Sequence, residues 1–299
     1  MELRQLRQVL VLAETLNFRR AAEQLHIAQP PLSTSIKKLE EELGVLLFER
    51  LPSGLKLTPA GEVVLRNARR TLFYADEIRR AAREGESGEQ GRLRIGFVGS
   101  AAYSLMPRII RSFSQHYPRV ELQIEEATTN GLLRRLDEYS LDVALVRFPV
   151  LEPCTAQVTL LKQERLLLAV SSDSPFAGRK EIDLSELDGQ AFIDYSHSLV
   201  PGMHALTSYV FQEAGIAPRI VQEAVQVQTI LGLVEAGLGV ALVPDAVPRA
   251  GSAVELIPLQ GVSDRLLVGT ALAVMPDAIS ATARNFIEQA RLVVEGSQM

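Results

Sequence analysis

Residues 17–44 constrain the fold of this chain more than any other stretch, because they contain two short helical patterns with only three residues between them. In residues 18–25, small and apolar side chains recur every three or four positions, which is the spacing of one helix face. Residues 29–43 repeat this spacing with larger apolar side chains. The repeating positions of the second pattern are Leu32, Ile36, Leu39 and Leu43. The stretch therefore predicts two helices joined by a tight turn.

Each predicted helix has a recognisable end. Asn17 precedes the first helix, where a short polar side chain can accept a hydrogen bond from an unpaired backbone N–H. Pro30 and Pro31 lie in the first turn of the second helix, where the missing N–H of proline costs least. Gly44 follows the last apolar position and is typical of a helix C terminus. Two delimited helices this close together indicate a helix-turn-helix.

A helix-turn-helix directs the first residues of its second helix towards base edges in the major groove of DNA. Ala21 and Ala22 are small enough for the two helices to approach closely. Glutamine can form two hydrogen bonds to adenine, hydroxyls can bond bases or phosphates, and lysine suits phosphate. The candidate DNA-contacting residues are Gln29, Pro30, Pro31, Ser33, Thr34 and Lys37. The alternative is a helical hairpin that only packs.

Longer motifs favour the first interpretation. Residues 1 to about 85 contain the segments MELRQLRQVLVLAE, AAEQLHIAQPPLS, LEEELGVLLFER and LTPAGE, in this order. They resemble the DNA-binding end of LysR-type transcriptional regulators. The resemblance implies a winged helix-turn-helix, a long linker helix and a ligand-sensing domain similar to the periplasmic binding proteins. The chain departs from the family at Thr34, where many members have an arginine that can contact guanine or phosphate.

Residues 45–58 predict the wing, as two short strands around a Pro-Ser-Gly turn. Arg50 and Lys56 flank the turn and could reach the minor groove or phosphates. Ordinary solvated charges are the alternative, more so for Lys56 than for Arg50.

A long helix is predicted from residue 59 to about residue 85, with Thr58 as its cap and Pro59 in its first turn. One side of it follows the alternating three-and-four spacing of a two-stranded coil. The residues of this predicted seam are Leu65, Ala68, Leu72, Ala75, Arg79 and Ala82. The seam predicts a homodimer that binds a partly palindromic DNA site, and the alternative is packing on its own domain. A tetramer built from two dimers is implied by the resemblance alone.

Composition narrows the class of protein. A chain of 299 residues should form two or three domains. It has no uninterrupted run of about 18 apolar residues, and its amphipathic N terminus differs from a signal peptide. Cys154 is the only cysteine, which excludes an intrachain disulfide and suits a reducing compartment. The net charge of −5 argues against binding nucleic acid, but residues 1–87 are mildly basic and the acidity belongs to the rest. We expect a cytoplasmic protein that does not bind membranes.

The pattern changes after residues 84–91, a glycine-rich stretch without apolar side chains that predicts a hinge. Beyond it, strand patterns alternate with helical ones, which is typical of α/β folds with buried parallel strands. The predicted strands are 93–98, 120–126, 141–147, 165–170, 190–195, 219–224, 239–244 and 266–274. The predicted helices are 104–116, 130–138, 202–214, 226–236 and 277–294.

We therefore expect an α/β protein in three parts. These are a winged helix-turn-helix DNA-binding domain at 1–58, a linker helix and hinge at 59–90, and an effector-binding domain at 91–299. The last domain should consist of two α/β subdomains with a cleft between them. Subdomain I is predicted to comprise about 91–163 and 267–299, and subdomain II about 164–266.

Ligands of open α/β sheets bind beyond the C-terminal ends of the strands, where helix N termini present free N–H groups. Hydroxyls at these positions suit a carboxylate, and the apolar side chains near them suit a hydrophobic body. The candidate effector-binding residues are Gly99, Ser100, Thr128, Thr129, Arg147, Phe148, Pro201, Met203, Val227 and Gln228. They predict a small organic anion as the effector.

Some of these residues have structural alternatives. Ser100 and Thr129 could only cap helices, and Arg147 could be an ion-pair partner within the fold. The chain is also similar to the branch of the LysR family that regulates the catabolism of aromatic compounds. Members of that branch have Ser and Thr at the positions of Ser100 and Thr129, which implies an aromatic acid or a muconate-like carboxylate as effector.

No nucleophile elbow, P-loop or zinc-protease motif is present, and the four histidines are scattered, so we expect no enzyme, no cofactor and no metal. The favoured function is a ligand-responsive transcriptional regulator whose partners are double-stranded DNA, a small anion and further copies of the chain. One alternative is a DNA-bridging or repressor protein that needs no ligand. A solute-binding protein is a further alternative, but that class has a signal peptide and no DNA-reading domain.

Overall fold

The computed structural model describes residues 1–52, 54–84, 87–247, 253–262 and 266–296, and for residues 80–84 it describes the backbone alone. The chain divides into two compact units, Met1–Gly85 and Glu86–Met299. The elements of the first unit are α1 (Leu3–Thr15), α2 (Phe18–Gln24), α3 (Gln29–Leu43), β1 (Phe48–Leu51), β2 (Gly54–Leu57) and α4 (Pro59–Glu84).

The predicted helix ends of the first unit are confirmed. The Asn17 side chain accepts hydrogen bonds from the backbone N–H groups of Arg19 (2.9 Å) and Arg20 (3.1 Å), so it caps α2. Helix α3 ends at Leu43, followed by Gly44 in the left-handed conformation with φ 70°. The two helices and the turn between them have the order and spacing of a helix-turn-helix.

Apolar side chains hold this helix pair against α1. Ala21 and Leu32 are fully buried in one cluster with Val9 of α1, so the small alanine does allow close helix packing. The Ser35 hydroxyl donates to Oε1 of Gln8 at 2.5 Å and adds a polar tie between α3 and α1. The exposed part of α3 is therefore positioned by its buried face.

The wing is present as an antiparallel pair, with Phe48 opposite Leu57 and Leu51 opposite Gly54. Residue 53 of the predicted turn lies outside the described residues. At the end of β2, the Thr58 hydroxyl accepts a hydrogen bond from the Gly61 N–H at 2.9 Å, which confirms Thr58 as the cap of α4.

The predicted dimer seam on α4 was wrong in its N-terminal half. Ala68 and Leu72 are buried against Leu6 of α1 within the same chain. They pack internally because α1 is itself amphipathic and its Leu6 side chain faces α4. The large apolar side chains of α4 that stay exposed lie on another face, at Val63, Tyr74 and Ile78. The side chain of residue 82, the last predicted seam position, lies outside the described residues.

The second unit contains eleven strands and five α-helices among its described residues. Its strands are β3 (Gln90–Phe97), β4 (Arg119–Glu126), β5 (Val143–Phe148), β6 (Gln157–Glu164), β7 (Leu166–Ser171), β8 (Ile182–Asp183), β9 (Ala191–Tyr195), β10 (Arg219–Ala224), β11 (Ala241–Pro244), β12 (Val254–Gln260) and β13 (Val268–Val274). Its helices are α5 (Leu105–His116), α6 (Thr129–Asp137), α7 (Pro201–Ala214), α8 (Val227–Glu235) and α9 (Ala281–Glu295), with short 3-10 helices at Gly99–Tyr103 and Leu184–Leu187.

The strands form two groups, and the chain passes between the groups twice. Subdomain I contains a five-stranded sheet in the order β4–β3–β5–β13–β6. Subdomain II contains the order β11–β7–β12–β8 and the parallel pair β9–β10. A bridge connects Phe192 of β9 to Val240, the residue before β11. Aromatic rings fill both cores, with Phe113 packed on Phe286 in subdomain I and Phe192 on Phe211 in subdomain II.

The prediction of parallel sheets was wrong in part. Strands β3, β4 and β5 are parallel, but β13 runs antiparallel to both β5 and β6, and β7 is antiparallel to β11 and β12. Strands β6, β8 and β12 were not predicted, because polar residues or proline interrupt the apolar runs of β6 and β12 and β8 has two residues. The predicted hinge also ends earlier than expected, since Gln90 and Gly91 already pair in β3.

The middle of the first sheet generates a test of this strand order. Gly269 of β13 lies so close to β6 that a Cβ atom there would overlap the carbonyl oxygen of Lys162. We expect Gly269→Ala to lower the free energy of unfolding by about 1–3 kcal/mol, because neither backbone can move without breaking sheet hydrogen bonds. Gly232→Ala is the control, since open space surrounds its Cβ position in α8, and it should stabilise by about 0.5–1 kcal/mol. Urea denaturation would measure both, and equal effects would contradict the register.

Candidate functional site

The first turn of α3 is the candidate DNA-reading surface. Gln29, Pro30, Pro31 and Thr34 are exposed there, whereas Ser33 is half-buried. These residues follow the tight turn after α2, which leaves the start of α3 uncovered while Leu32 and Ile36 anchor its opposite face. The surface has the position from which a recognition helix contacts bases.

Two of the predicted contact residues have partners of their own. The Thr34 hydroxyl donates to the Pro30 carbonyl at 3.0 Å, which leaves its oxygen free to accept rather than to donate. Lys37 lies 3.6 Å from Glu41 one turn along the helix, and both side chains are well exposed. An exposed pair of this kind contributes little to stability, so phosphate can replace Glu41 as the partner of Lys37 at small cost.

The two predicted cations of the wing are both exposed, but they differ in their contacts. The Arg50 guanidinium lies 5.2 Å from the centre of the Phe18 ring, so a cation–π contact holds the base of the wing near the start of α2. Lys56 is exposed and lies opposite Glu49 in the strand pair. Arg50 is therefore the better positioned of the two predicted wing contacts.

A second candidate site is a cavity between subdomains I and II of the second unit. It encloses about 430 Å³, part of which is open to solvent. It lies where the strands of both subdomains end, as open α/β sheets require. Its lining residues are Val98, Gly99, Ser100, Ala127, Thr128, Thr129, Arg147, Tyr195, Val200, Met203, Val225, Gln226, Val227 and Pro244.

Most of the predicted effector-binding residues come together here, with three exceptions. Pro201 lines an adjoining pocket that shares Thr129 and Arg147 with the cavity. Phe148 and Gln228 are not among the residues that line either space, and their contact with an effector stays a prediction. Sequence reasoning missed several lining residues, of which the polar ones are Tyr195 and Gln226.

Gln228 is occupied elsewhere. Its Oε1 accepts a hydrogen bond of 2.5 Å from the Tyr103 hydroxyl. Tyr103 ends the short helix after β3 in subdomain I, whereas Gln228 lies in the first turn of α8 in subdomain II. This exposed hydrogen bond therefore connects the two subdomains beside the cavity.

The serine and threonine hydroxyls of the cavity follow the ends of two strands, β3 and β4. The Thr128 side chain accepts from the Gly131 N–H at 3.3 Å and caps α6, so Thr128 rather than Thr129 is the cap. The Thr129 hydroxyl accepts instead from the backbone N–H of Arg147 at 3.2 Å. Ser100 caps no helix, and its hydroxyl oxygen lies 3.5 Å from Nη1 of Arg147. Each hydroxyl retains capacity for a further bond to a ligand.

Arg147 has the structural role that the sequence left open. Its Nη2 donates to Oε2 of Glu164 at 2.8 Å, and its Nη1 donates to the Thr270 hydroxyl at 3.3 Å. The Thr270 hydroxyl in turn donates to Oε1 of Glu164 at 2.9 Å. The side chains of Arg147 and Glu164 are 8% and 0% exposed, so one charge compensates the other inside the protein. The cavity floor is thus polar but close to neutral.

Tyr195 contributes a buried hydroxyl to the same cavity. The residue is 4% exposed, and its hydroxyl has no hydrogen-bond partner within the described part of the chain. Burial raises the pKa of this hydroxyl well above its usual value, while the nearby charge of Arg147 opposes the shift, so the group is a neutral phenol at physiological pH. A buried unpaired hydroxyl costs about 1–3 kcal/mol, which binding of a ligand could recover.

Asp194, which precedes Tyr195 in the chain, forms hydrogen bonds outside the cavity lining. Asp194 accepts from the Thr207 hydroxyl at 2.8 Å, and its other oxygen lies 2.8 Å from Nδ1 of His204. Burial raises the pKa of this carboxyl, and the hydrogen bonds from Thr207 and the Tyr195 N–H oppose the shift. The cluster attaches α7 to the end of β9 and so fixes the position of Tyr195.

Other kinds of site are not evident. Across the described ranges, no group of three His, Cys, Asp or Glu side chains could hold a metal ion. Among the same residues, no helix combines the length and the apolar character needed to cross a membrane. Burial raises the pKa of the Cys154 thiol, which makes it a poor nucleophile.

Comparison with known proteins finds matches for both units of the chain. Residues 3–62 match the family model described as bacterial regulatory helix-turn-helix protein, lysR family, and residues 86–294 match the LysR substrate binding domain. The chain is 38% identical over 249 residues to the HTH-type transcriptional regulator CatR of Pseudomonas putida, covering 83% of this chain and 84% of CatR. It is 36% identical over 246 residues to the regulator BenM of Acinetobacter baylyi, covering 82% and 80% of the two chains.

The fold agrees with these matches. The crystal structure of full-length CbnR complexed with its target DNA superposes with a TM-score of 0.60 at 27% identity, covering 98% of this chain and 100% of CbnR. One family model covers most of the DNA-reading unit, the other covers most of the cavity-containing unit, and the solved structure extends over both. The chain belongs to the LysR family and is a ligand-responsive transcriptional regulator with a helix-turn-helix DNA-binding domain and an effector-binding domain.

Proposed function

We propose that the first turn of α3 reads a partly palindromic promoter site and that a small organic anion with an apolar body binds between subdomains I and II. The observation that supports the effector class most strongly is the composition of the cavity, in which hydroxyls and a helix N terminus face apolar side chains. The protein would act in the cytoplasm, where its DNA is, and would catalyse no reaction.

Reading of the promoter would combine few but well-placed contacts. Gln29 supplies two hydrogen-bonding groups in one plane and can pair with adenine, while the rings of Pro30 and Pro31 can contact a thymine methyl group. Ser33, Thr34 and Lys37 would contact bases or phosphates beside them, and Arg50 and Lys56 would contact the backbone or the minor groove. Because the DNA-binding part of the chain is only mildly basic, its affinity for DNA would depend on such placed contacts.

The effector would bind with its acidic group at the N terminus of α6. The free backbone N–H groups of that helix and its positive dipole end favour an anion there, and the hydroxyls of Ser100 and Thr129 add hydrogen bonds. Val98, Val227 and Met203 suit an aromatic or unsaturated body. An aromatic acid or a muconate-like acid has these properties.

A homodimer would form through the exposed face of α4 rather than through the seam predicted from the sequence. That face presents Val63, Tyr74 and Ile78, of which Ile78 is 72% exposed, and burial against a second copy would remove them from water. Two DNA-reading surfaces related by a twofold axis match a palindromic site. A tetramer of two such dimers is part of the same proposal.

The assignment of the reading surface can be tested by Gln29→Ala. Gln29 is exposed, so the substitution should leave stability unchanged but weaken binding to the preferred site by about 1–3 kcal/mol through the lost pair with adenine. Fluorescence anisotropy would compare a duplex that the unaltered protein selects from a random library with a scrambled duplex. Affinity for the scrambled duplex should not change.

Gln24→Ala provides the matched control for this experiment. Gln24 is also exposed, but it is the last residue of α2 and lies outside the proposed reading surface. It should bind both duplexes as the unaltered protein does. If Gln29→Ala and Gln24→Ala behave alike on the selected duplex, α3 does not read bases through Gln29.

The effector site can be tested by Ser100→Ala combined with Thr129→Ala. Each hydroxyl bonded to a carboxylate contributes about 1.5–3 kcal/mol, so the double variant should bind a responsive acid at least about a hundredfold more weakly. Calorimetry would measure affinity, and anisotropy should show that binding to DNA without effector is retained. Ser208→Ala is the control, because Ser208 is exposed on α7 and does not line the cavity.

The same experiment separates the proposal from a ligand-independent repressor. Such a protein would bind no small acid and would occupy its promoter site equally with and without every compound tried. If an acid binds to the double variant as tightly as to the unaltered protein, Ser100 and Thr129 serve the fold alone.

A further inference from the structure

Two buried polar groups of the cavity lack a hydrogen-bond partner within the described part of the chain. One is the hydroxyl of Tyr195, and the other is Nε of Arg147. The residues are 4% and 6% exposed, and both line the cavity. Tyr195 ends β9 of subdomain II, whereas Arg147 lies in β5 of subdomain I. Buried polar groups are nearly always paired in folded proteins, so these two indicate the place of a bound partner.

The hydrogen bonds that Arg147 already makes show which kind of partner its Nε needs. Its Nη1 already bonds Ser100 and Thr270, and its Nη2 already bonds Glu164. Nε therefore requires an acceptor atom. The Tyr195 hydroxyl lines the same cavity, lies within the influence of the Arg147 charge and can donate a hydrogen bond as well. An oxygen atom of a ligand meets both requirements.

The charge balance distinguishes between two kinds of oxygen. Among the described residues that line the cavity, Arg147 is the one cation, and Glu164 already neutralises it at 2.8 Å. Asp194 precedes Tyr195 in the chain and accepts a hydrogen bond from its backbone N–H, so a second carboxyl group lies close to the cavity lining. A carboxylate at this point would be a further buried anion without a cation of its own, which costs more than a neutral acceptor.

We propose that the effector has, besides its acidic group, a neutral hydroxyl or carbonyl oxygen that binds between Tyr195 and Nε of Arg147. The inference rests on the proposed function and refines the effector class to a hydroxy acid or keto acid. Tyr195 is then a specificity-determining residue, because its hydroxyl is satisfied by an effector with such an oxygen and is left unpaired by one without it. A dicarboxylate would be disfavoured at this end of the cavity, so the inference favours an aromatic acid over a muconate-like acid.

Calorimetry on the full-length chain can test the inference with matched benzoic acids. The probes are benzoate, the three hydroxybenzoates, the three acetylbenzoates and the three phthalates. We expect at least one hydroxy or acetyl isomer to bind about tenfold or more tightly than benzoate, and to bind more tightly than every phthalate. In Tyr195→Phe this gain over benzoate should fall to threefold or less.

Tyr209→Phe is the matched control. Tyr209 is 49% exposed on α7 and does not line the cavity, so this variant should keep the preference of the unaltered protein. Thermal unfolding gives a second measurement that needs no ligand. Tyr195→Phe removes a buried unpaired hydroxyl, so its melting temperature should be equal to or above that of the unaltered protein, and a clear decrease would mean that the hydroxyl is already bonded.

The outcomes separate this inference from the proposed function. If a phthalate binds most tightly, or if Tyr195→Phe keeps the gain over benzoate, the neutral oxygen site is overturned while the organic-anion effector stands. If benzoate and all its hydroxy and acetyl derivatives bind equally, the inference is likewise overturned. If none of the acids binds, the proposed effector class fails, and the inference fails with it.

Discussion

The buried ion pair between Arg147 and Glu164 is the interaction on which the ligand-binding unit depends. Its two charges lie on β5 and β6, and Thr270 of β13 lies between them and bonds to both. The pair therefore joins three neighbouring strands of one sheet. Removal of either partner would leave an uncompensated charge inside the protein, at a cost of about 3–5 kcal/mol. The cavity floor is stable in its present form only because this strand order places the three side chains together.

That strand order was the part of the fold hardest to predict. Alternation of strands and helices indicated two α/β subdomains, and Asn17, Thr58 and Gly44 indicated helix boundaries that the structure has. These signals are local. The antiparallel return of β13 is not local, because Gly269 meets β6 more than a hundred residues away. Sequence patterns therefore predicted the elements well and their pairing less well.

The two candidate sites also differ in how well the sequence predicted them. The reading surface of α3 consists of consecutive residues, so the pattern that predicted the helix also predicted its exposed first turn. The cavity combines the ends of strands from both subdomains, and only residues after the predicted strands, such as Ser100 and Thr129, were identified. Tyr195 was missed because it ends a buried strand and has the pattern of a core residue. Its unpaired hydroxyl becomes evident only when its surroundings are known.

The position of the cavity also explains how a small ligand can act on the fold. Thr129 and Arg147 belong to subdomain I, whereas Tyr195 belongs to subdomain II, and the Tyr103–Gln228 hydrogen bond joins the two beside the cavity. A ligand that bonds to both sides can do so only while the subdomains are close. Because a ligand shifts an equilibrium only by its different affinity for two states, such a ligand must favour the closed arrangement. A ligand that contacts one subdomain alone would bind without shifting the equilibrium towards the closed arrangement. An oxygen atom that bonds to both subdomains would therefore distinguish an effector from a ligand that binds without effect.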